Sequence, residues 1–353
     1  MHSFDITEWG KPLQRAVREQ PQPTGTQVLV KVRYCGVCHS DVHIRDGYFD
    51  LGGGKRFYMT ERGMKLPVTM GHEPYGELVA MGPQAQGLAP VSMGQSYLVF
   101  PWTGCGQCAR CQQEQDNWCM SPKFLGVQSA GGYADYLLVP HPKYLVDATG
   151  IDPQFAPILA CSGLTTYSAV RKLLPCDPQD VIVVMGAGGL GLMAIAMLKA
   201  LGHERIVVCE IDSAKWQAAR DMGAQEVLNP NDASTLERLQ AMPGGVWGVL
   251  DLVGVSTTAQ LGVACLRKGG RYVVVGLYGG ELPLSTVPLA QRAITVQGSY
   301  VGSLSELKEV VDLARKGQIK PIPTALCTPE EISGVLDRLK TGQVLGRVIA
   351  RFN

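Results

Sequence analysis

Residues 26–34, Thr-Gln-Val-Leu-Val-Lys-Val-Arg-Tyr, place Val28, Val30, Val32 and Tyr34 on one face and Gln27, Lys31 and Arg33 on the other. Such alternation predicts a half-buried strand. Residues 131–140 read as further strand after a glycine turn, and 147–153 have the composition of a loop between domains. Beyond it, Ala160-Cys161-Ser162-Gly163 leads into a helical pattern over 164–174, with Cys161 expected at the threshold, where a helix amino terminus favours the thiolate. From Asp180 the pattern changes again. Short apolar runs at 181–185, 205–209, 249–253 and 271–276 alternate with amphipathic stretches, which predicts βαβ units and a parallel sheet. Another strand is expected at 295–300, then a helix at about 304–316 with Leu307, Val310, Val311 and Ala314 on one face, stopping at Gly317. The end, 330–352, reads as a helix plus a short strand, 348–352, that returns to the first domain.

Length and composition narrow the class. At 353 residues the chain is long for one core, so two domains are expected, with a boundary near residue 150. Apolar residues make up 46% and charged ones 18%, and no apolar run approaches the ~20 residues of a membrane span. The start, Met-His-Ser-Phe-Asp-Ile, lacks a basic region followed by an apolar core, so a cytoplasmic protein is expected. A net charge of +1 offers nucleic acid or a membrane surface no electrostatic purchase. Eleven cysteines without an export signal point to metal ligands and free thiols rather than disulfides.

Four stretches carry candidate chemistry. Between Cys35 and His43, Cys38 can bind a metal as thiolate, Ser40 and His43 can pass a proton, and Asp41 can orient a metal-bound imidazole. Gly71-His72-Glu73 adds an imidazole and a carboxylate. Cys105, Cys108, Cys111 and Cys119 follow C-x2-C-x2-C-x7-C, with Gly104 and Gly106 allowing tight turns. Four thiolates close a tetrahedron and leave no open position, which predicts a structural zinc; iron–sulfur clusters commonly use other spacings. Finally, Gly186-Ala-Gly188-Gly189-Leu190-Gly191 follows a predicted strand, opens a predicted helix, and precedes Glu210 by about twenty residues. That context predicts a dinucleotide site, with the pyrophosphate at the helix amino terminus and Glu210 on the adenosine ribose, hence NAD rather than NADP; Asp212 adds a second negative charge.

Together, Cys38 with Ser40 and His43, Gly71-His72-Glu73, the four-cysteine lobe, Cys161 and the glycine-rich turn resemble the zinc-dependent alcohol dehydrogenases of the medium-chain dehydrogenase/reductase superfamily, in the family's order and over almost the whole chain. The resemblance implies an α/β architecture. A GroES-like, β-rich catalytic domain would span 1–150 and 301–353 and carry the structural zinc lobe (105–119); an NAD-binding Rossmann domain with a parallel doubly wound sheet would span 151–300. It implies two zinc ions per chain and NAD. Cys38, His72 and Cys161 would hold the catalytic zinc, with Glu73 behind them and Asp41 orienting His72. His39 would lie near the pyrophosphate, and Thr165, Gly186, Gly188, Gly189, Leu190, Gly191, Glu210 and Lys215 would also contact the cofactor. Zinc would acidify the alcohol, hydride would pass to the nicotinamide, and the proton would leave by Ser40 and His43. Cysteine at 161, where polyol dehydrogenases of the superfamily commonly have glutamate, favours a plain alcohol. The family suggests a homodimer or homotetramer.

Two departures are visible. Gly94 is followed by Gln95 where the family often has Gly-Asp, so that turn is expected to differ. The segment between His43 and Gly71 is long, and within 48–66 Tyr48, Phe49, Leu51, Phe57, Tyr58 and Met59 predict an apolar lid hinged at Gly52–Gly54, or a subunit contact, and with the lid a bulky hydrophobic, aromatic or medium-chain alcohol. Rival readings are a carbonyl reductase working in reverse, a zinc-free reductase of the superfamily, which the full ligand set opposes, and a zinc-lobe nucleic-acid binder. Against the last, the lobe carries one basic residue, Arg110, beside Glu114 and Asp116.

Overall fold

The computed structural model covers residues 1–353. Its strands form two main sheets. In the first, of seven strands, Val28–Val37 is central: it pairs antiparallel with Pro74–Met81, with Tyr136–Val139 and with Arg347–Arg351. The alternation at 26–34 therefore belongs to a strand with partners at both edges, and Val28, Leu29, Val30 and Val32 are all buried. Thr324–Cys327 runs parallel to Arg347–Arg351, so the end of the chain is built into the first sheet.

The second sheet has six parallel strands: Val181–Met185, Ile206–Cys209, Glu226–Leu228, Val246–Asp251, Leu266–Val274 and Thr295–Gly298. Numbered within this sheet, their spatial order is 3-2-1-4-5-6, the doubly wound arrangement whose ligand crevice opens where the order reverses. Glu226–Leu228 is too short to announce itself by periodicity. The first strand is buried throughout and the helix Gly189–Ala200 packs on it, with residues 191–198 buried. The helix Leu304–Arg315 begins with a reciprocal cap between Ser303 and Glu306 and buries Leu304, Leu307, Val310 and Val311. No helix is long and apolar enough to cross a membrane.

The turn at Gly94 is held by backbone bonds to Leu78 and by the Gln95 side chain. Gly94 takes φ +78°, its N–H bonds to Leu78 O, Gln95 O accepts from Leu78 N, and the Gln95 side chain accepts from the Tyr97 hydroxyl. The segment after Gly47 folds into a hairpin, Tyr48–Gly52 with Lys55–Tyr58, rather than an irregular loop. It lies against the dinucleotide-binding half: a Cβ on Gly52 would meet Glu281 Cγ at 2.9 Å and the Gly280 carbonyl carbon at 3.1 Å. The hairpin thus touches both halves, with Phe49 5.0 Å from His43 on the other side.

Candidate active site and metal centres

Cys38, His72, Glu73 and Cys161 converge, their ligand atoms all lying within 4.8 Å of one another and all four residues buried. They arrive from three places in the chain, His72 and Glu73 being neighbours. Cys38 ends the central strand and is the N-cap of the helix His39–Asp46; His72 precedes the strand Pro74–Met81; Cys161 sits in a π-helical turn, Leu159–Gly163. The expectation that Cys161 marks a helix threshold is corrected. Helical backbone runs unbroken from Ala156 to Arg171, and the residue at a helix amino terminus is Cys38. The charges follow. Hydrogen bonding from the Cys161 thiol, with Arg347 nearby, holds Cys38 well below the ordinary thiol range, and Cys161, as the donor, is pushed well above it.

Asp41 holds the frame. One oxygen accepts from the Cys38 N–H at 2.9 Å and the Tyr133 hydroxyl at 2.7 Å, and the other faces His72 Nδ1 at 2.9 Å. Burial alone would lower the His72 pKa, but the Asp41 carboxylate overrides it and raises it. His72 Nε2 is buried without a hydrogen-bond partner, aimed at the sulfurs. Glu73 is fully buried; burial lifts its carboxyl to about 7 against the pull of Arg347, which donates to Oε1. Oε2 stands where a Cβ of residue 36 would be, so only glycine fits there.

Donor spacing tests whether a metal fits. Zinc–sulfur bonds of ~2.3 Å at tetrahedral angles put sulfurs roughly 3.8 Å apart. Cys38 and Cys161 Sγ are 3.8 Å apart, and in the lobe Cys105–Cys111, Cys108–Cys111 and Cys108–Cys119 are 4.0, 3.5 and 3.8 Å apart. None of the eleven cysteines is in a disulfide. The backbone amides of Gln107 and Cys108 draw the Cys105 thiol down to about 6, and the Cys105 and Ser121 amides point at Cys119 Sγ at 3.3 and 3.4 Å. A side chain on Gly104 would strike Cys111 Sγ. Both sets fit zinc: one closed by four cysteines, one with an unpartnered imidazole beside two sulfurs.

At the switch point, Gly186 takes φ +94°, and a Cβ on Gly191 would collide with the Gly186 carbonyl, so the helix Gly189–Ala200 starts tight against the strand. A Cβ on Gly188 would meet nothing within 4 Å, leaving space for a ligand to approach the backbone. Glu210 is buried and accepts from the Ala187 and Asp212 amides at 2.6 and 2.8 Å. Lys215 pairs with Asp212 at 3.4 Å, Leu190 is half-buried, and Thr165 is buried on the helix Leu164–Arg171.

Ser40 and His43 lie one turn apart on the helix His39–Asp46, both half-buried. Burial, reinforced by His39, lowers His43 to about 4, so it is neutral at physiological pH. His39 Nδ1 is 3.2 Å from the Tyr278 hydroxyl. Aromatic rings wall the rest: Trp102 is 5.3 Å from His72, with Phe124 and Tyr300 beyond at 5.5 and 6.3 Å from Trp102, and Phe49 is 5.0 Å from His43. Sequence reasoning missed Arg347, Tyr133, Trp102, Tyr278 and Tyr300. A charged residue opening an apolar strand was the one available hint, at Arg347.

Comparison with known proteins agrees with this geometry. Residues 24–149 match the alcohol dehydrogenase GroES-like domain and 189–316 the zinc-binding dehydrogenase family. The chain is 36% identical over 352 residues to an NAD-dependent alcohol dehydrogenase of Sulfurisphaera tokodaii, covering 99% of both chains. It is 30% identical to a D-arabinose 1-dehydrogenase (NADP(+)) of Saccharolobus solfataricus, covering 98% of this chain and 95% of that one. The crystal structure of the alcohol dehydrogenase of Aeropyrum pernix superposes with a TM-score of 0.88 at 28% identity, covering 100% of each. A chain with two sulfur-lined zinc-type sites, a 3-2-1-4-5-6 dinucleotide sheet and full-length relatives of this kind belongs to the zinc-type, NAD-dependent alcohol dehydrogenases of the medium-chain dehydrogenase/reductase superfamily.

Proposed function

We propose that this enzyme oxidises hydrophobic alcohols, aromatic or medium-chain and primary or secondary, to the aldehyde or ketone, and catalyses the reverse reduction at the same site. The carrying observation is the wall of Trp102, Phe124, Tyr300 and Phe49 around the metal ligand His72 and the base His43. Each methylene removed from water there contributes about 0.8 kcal/mol. Such a wall rewards apolar area, which a polyol lacks, and this favours the reading over a sugar substrate.

In this reading Cys38, His72 and Cys161 hold the catalytic zinc and Cys105, Cys108, Cys111 and Cys119 the structural one. Zinc supplies Lewis acidity toward the alcohol oxygen, and NAD accepts the hydride. The chain's own residues do the rest. Asp41 and Tyr133 fix the His72 ring. Ser40 would receive the alcohol proton, and His43, neutral near pH 7, would take it onward toward solvent. His39 would lie at the pyrophosphate, and Thr165, Gly186, Gly188, Gly189, Leu190, Gly191, Glu210 and Lys215 would hold the rest of the cofactor. We assign 1–150 with 301–353 to the catalytic domain and 151–300 to the cofactor domain. We further propose a homo-oligomer built through the cofactor domain, because the four residues of the edge strand Thr295–Gly298 are all exposed and only one side of it is paired.

The test compares kcat/KM for ethanol with that for benzyl alcohol, in the wild type and with Phe49 and Phe57, opposite each other on the hairpin, changed to alanine. Benzyl alcohol is expected to be preferred by at least ~10-fold and to lose more than ethanol in the variant. Equal proportional losses would remove the hairpin from the pocket.

For the cofactor, NAD is expected to be preferred over NADP by at least ~10-fold in kcat/KM, since a 2'-phosphate would be brought against buried Glu210. Glu210→Ala is expected to narrow the ratio, chiefly by weakening NAD. Equal use of both by the wild type would remove Glu210 from the ribose.

A further inference from the structure

Four cations, Lys55, Arg56, Arg62 and Lys65, and two acids, Asp50 and Glu61, lie on the segment 48–66. Both acids accept from local backbone, Asp50 from the Gly52 amide at 2.7 Å and Glu61 from the Tyr58 amide at 2.8 Å, and neither pairs with a cation. None of the four cations makes a salt bridge. Arg56 lies over Tyr48 at 4.0 Å. Glu281, the acid facing the hairpin from the other half, lies against Gly52 and Gly53 and pairs with none of them.

Arg62 is the cation placed in the cleft. Its Nη2 donates to the Tyr300 hydroxyl at 3.0 Å, and its guanidinium lies 5.8 Å from the Phe49 ring. Tyr300 and Phe49 end the two aromatic walls: one runs from His72 through Trp102, the other starts at His43. Arg62 therefore joins the walls at the end remote from the metal ligands. Its backbone is fixed, with Arg62 N bonded to Met59 O and Arg62 O accepting from Gln128 Nε2. A guanidinium has five N–H donors in a fork that matches a carboxylate, and one donor is used here.

We propose that Arg62 binds a carboxylate on the end of the substrate remote from its hydroxyl, so that the preferred alcohols are aryl or medium-chain hydroxy acids. This rests on the hydrophobic-alcohol reading and sharpens it. The aromatic walls take the apolar body of the molecule, and Arg62 takes the anionic end. Arg62 is half-buried and Tyr300 is 40% exposed, so the pair would form at the solvent-facing end of the walls, where a bidentate charge-assisted contact still exceeds a single-point surface pair and discriminates against an uncharged isostere.

The test uses the zinc-loaded enzyme with NAD and compares 3- and 4-(hydroxymethyl)benzoate with their methyl esters. In the wild type the better acid is expected to exceed its ester by about 10-fold or more in kcat/KM, mainly through KM, and the ratio is expected to shrink as ionic strength rises. Arg62→Gln should abolish the ratio, and Arg62→Lys, which keeps charge but not the fork, should retain part of it. Because the readout is a ratio within each variant, a general loss of activity does not imitate the effect. An ester as good as its acid in the wild type, or a ratio unchanged by Arg62→Gln, overturns the role of Arg62 while leaving the hydrophobic-alcohol reading intact. Oxidation of neither acid nor ester overturns both.

Discussion

Cys38→Ser is expected to lower kcat/KM for alcohol oxidation by at least ~1000-fold and to leave one zinc per chain, with the fold intact. The size follows from what the site supplies: Lewis-acid stabilisation of developing charge contributes several kcal/mol, and about 4 kcal/mol is a factor of 1000. A serine hydroxyl is a poor substitute for the thiolate that Cys161 and Arg347 stabilise at position 38. Cys105→Ser should behave differently. Its lobe is held by four cysteines in a short excursion whose regular structure is two brief helical turns, Ala109–Gln112 and Asp116–Trp118. Metal binding there is also folding free energy, so its loss should lower Tm and zinc content together. Elemental analysis of wild type and both variants, alongside thermal unfolding, decides. Two zincs in the wild type and one in each variant, with stability lost only in Cys105→Ser, is the expected pattern. One zinc in the wild type would remove one of the two assignments.

The lobe was legible because its ligands are neighbours in sequence and their spacing is itself the signal. The glycine-rich turn was legible for the same reason, being local to one strand, one turn and one helix. What stayed hidden was pairing over distance. Glu73 and Arg347 are 274 residues apart, and nothing at either end announces the other. Trp102, beside His72, meets Tyr300 from 198 residues away along the chain. Cys161 misled because Gly163 and an apolar run look like a helix start, whereas Phe155 and Pro157 have already begun one and the chain passes through a π turn without stopping. The hairpin over 48–58 was hidden by its short strands and by three consecutive glycines, which read as flexibility. In the fold they take φ of +81°, +57° and +77° and make the turn.

The buried pair carries the largest stability prediction. Arg347 is 5% exposed and Glu73 0%, and Arg347 reaches both the Glu73 carboxylate and, at 3.8 Å, Cys38 Sγ. Although burial opposes its charge, Glu73 and the two cysteines raise the Arg347 pKa further, so it stays protonated. Removing one partner of a buried pair costs about 3–5 kcal/mol, because the other charge is left without compensation, whereas replacing both costs far less. Arg347→Met is therefore expected to lower Tm by roughly 5 °C, on the scale of about 1–2 °C per kcal/mol for a chain of 353 residues. It should also weaken zinc at the Cys38 site about 10- to 100-fold, as loss of a residue supporting metal ligands does. Glu73→Gln alone should destabilise too, and Glu73→Gln combined with Arg347→Met should recover much of the loss. The measurement is thermal unfolding of the zinc-loaded protein in a double-mutant cycle, with zinc retention against a chelator as the second readout. Additive losses in the double variant would mean that Glu73 and Arg347 act independently, and the pair would then have no part in holding the thiolate of Cys38 in place.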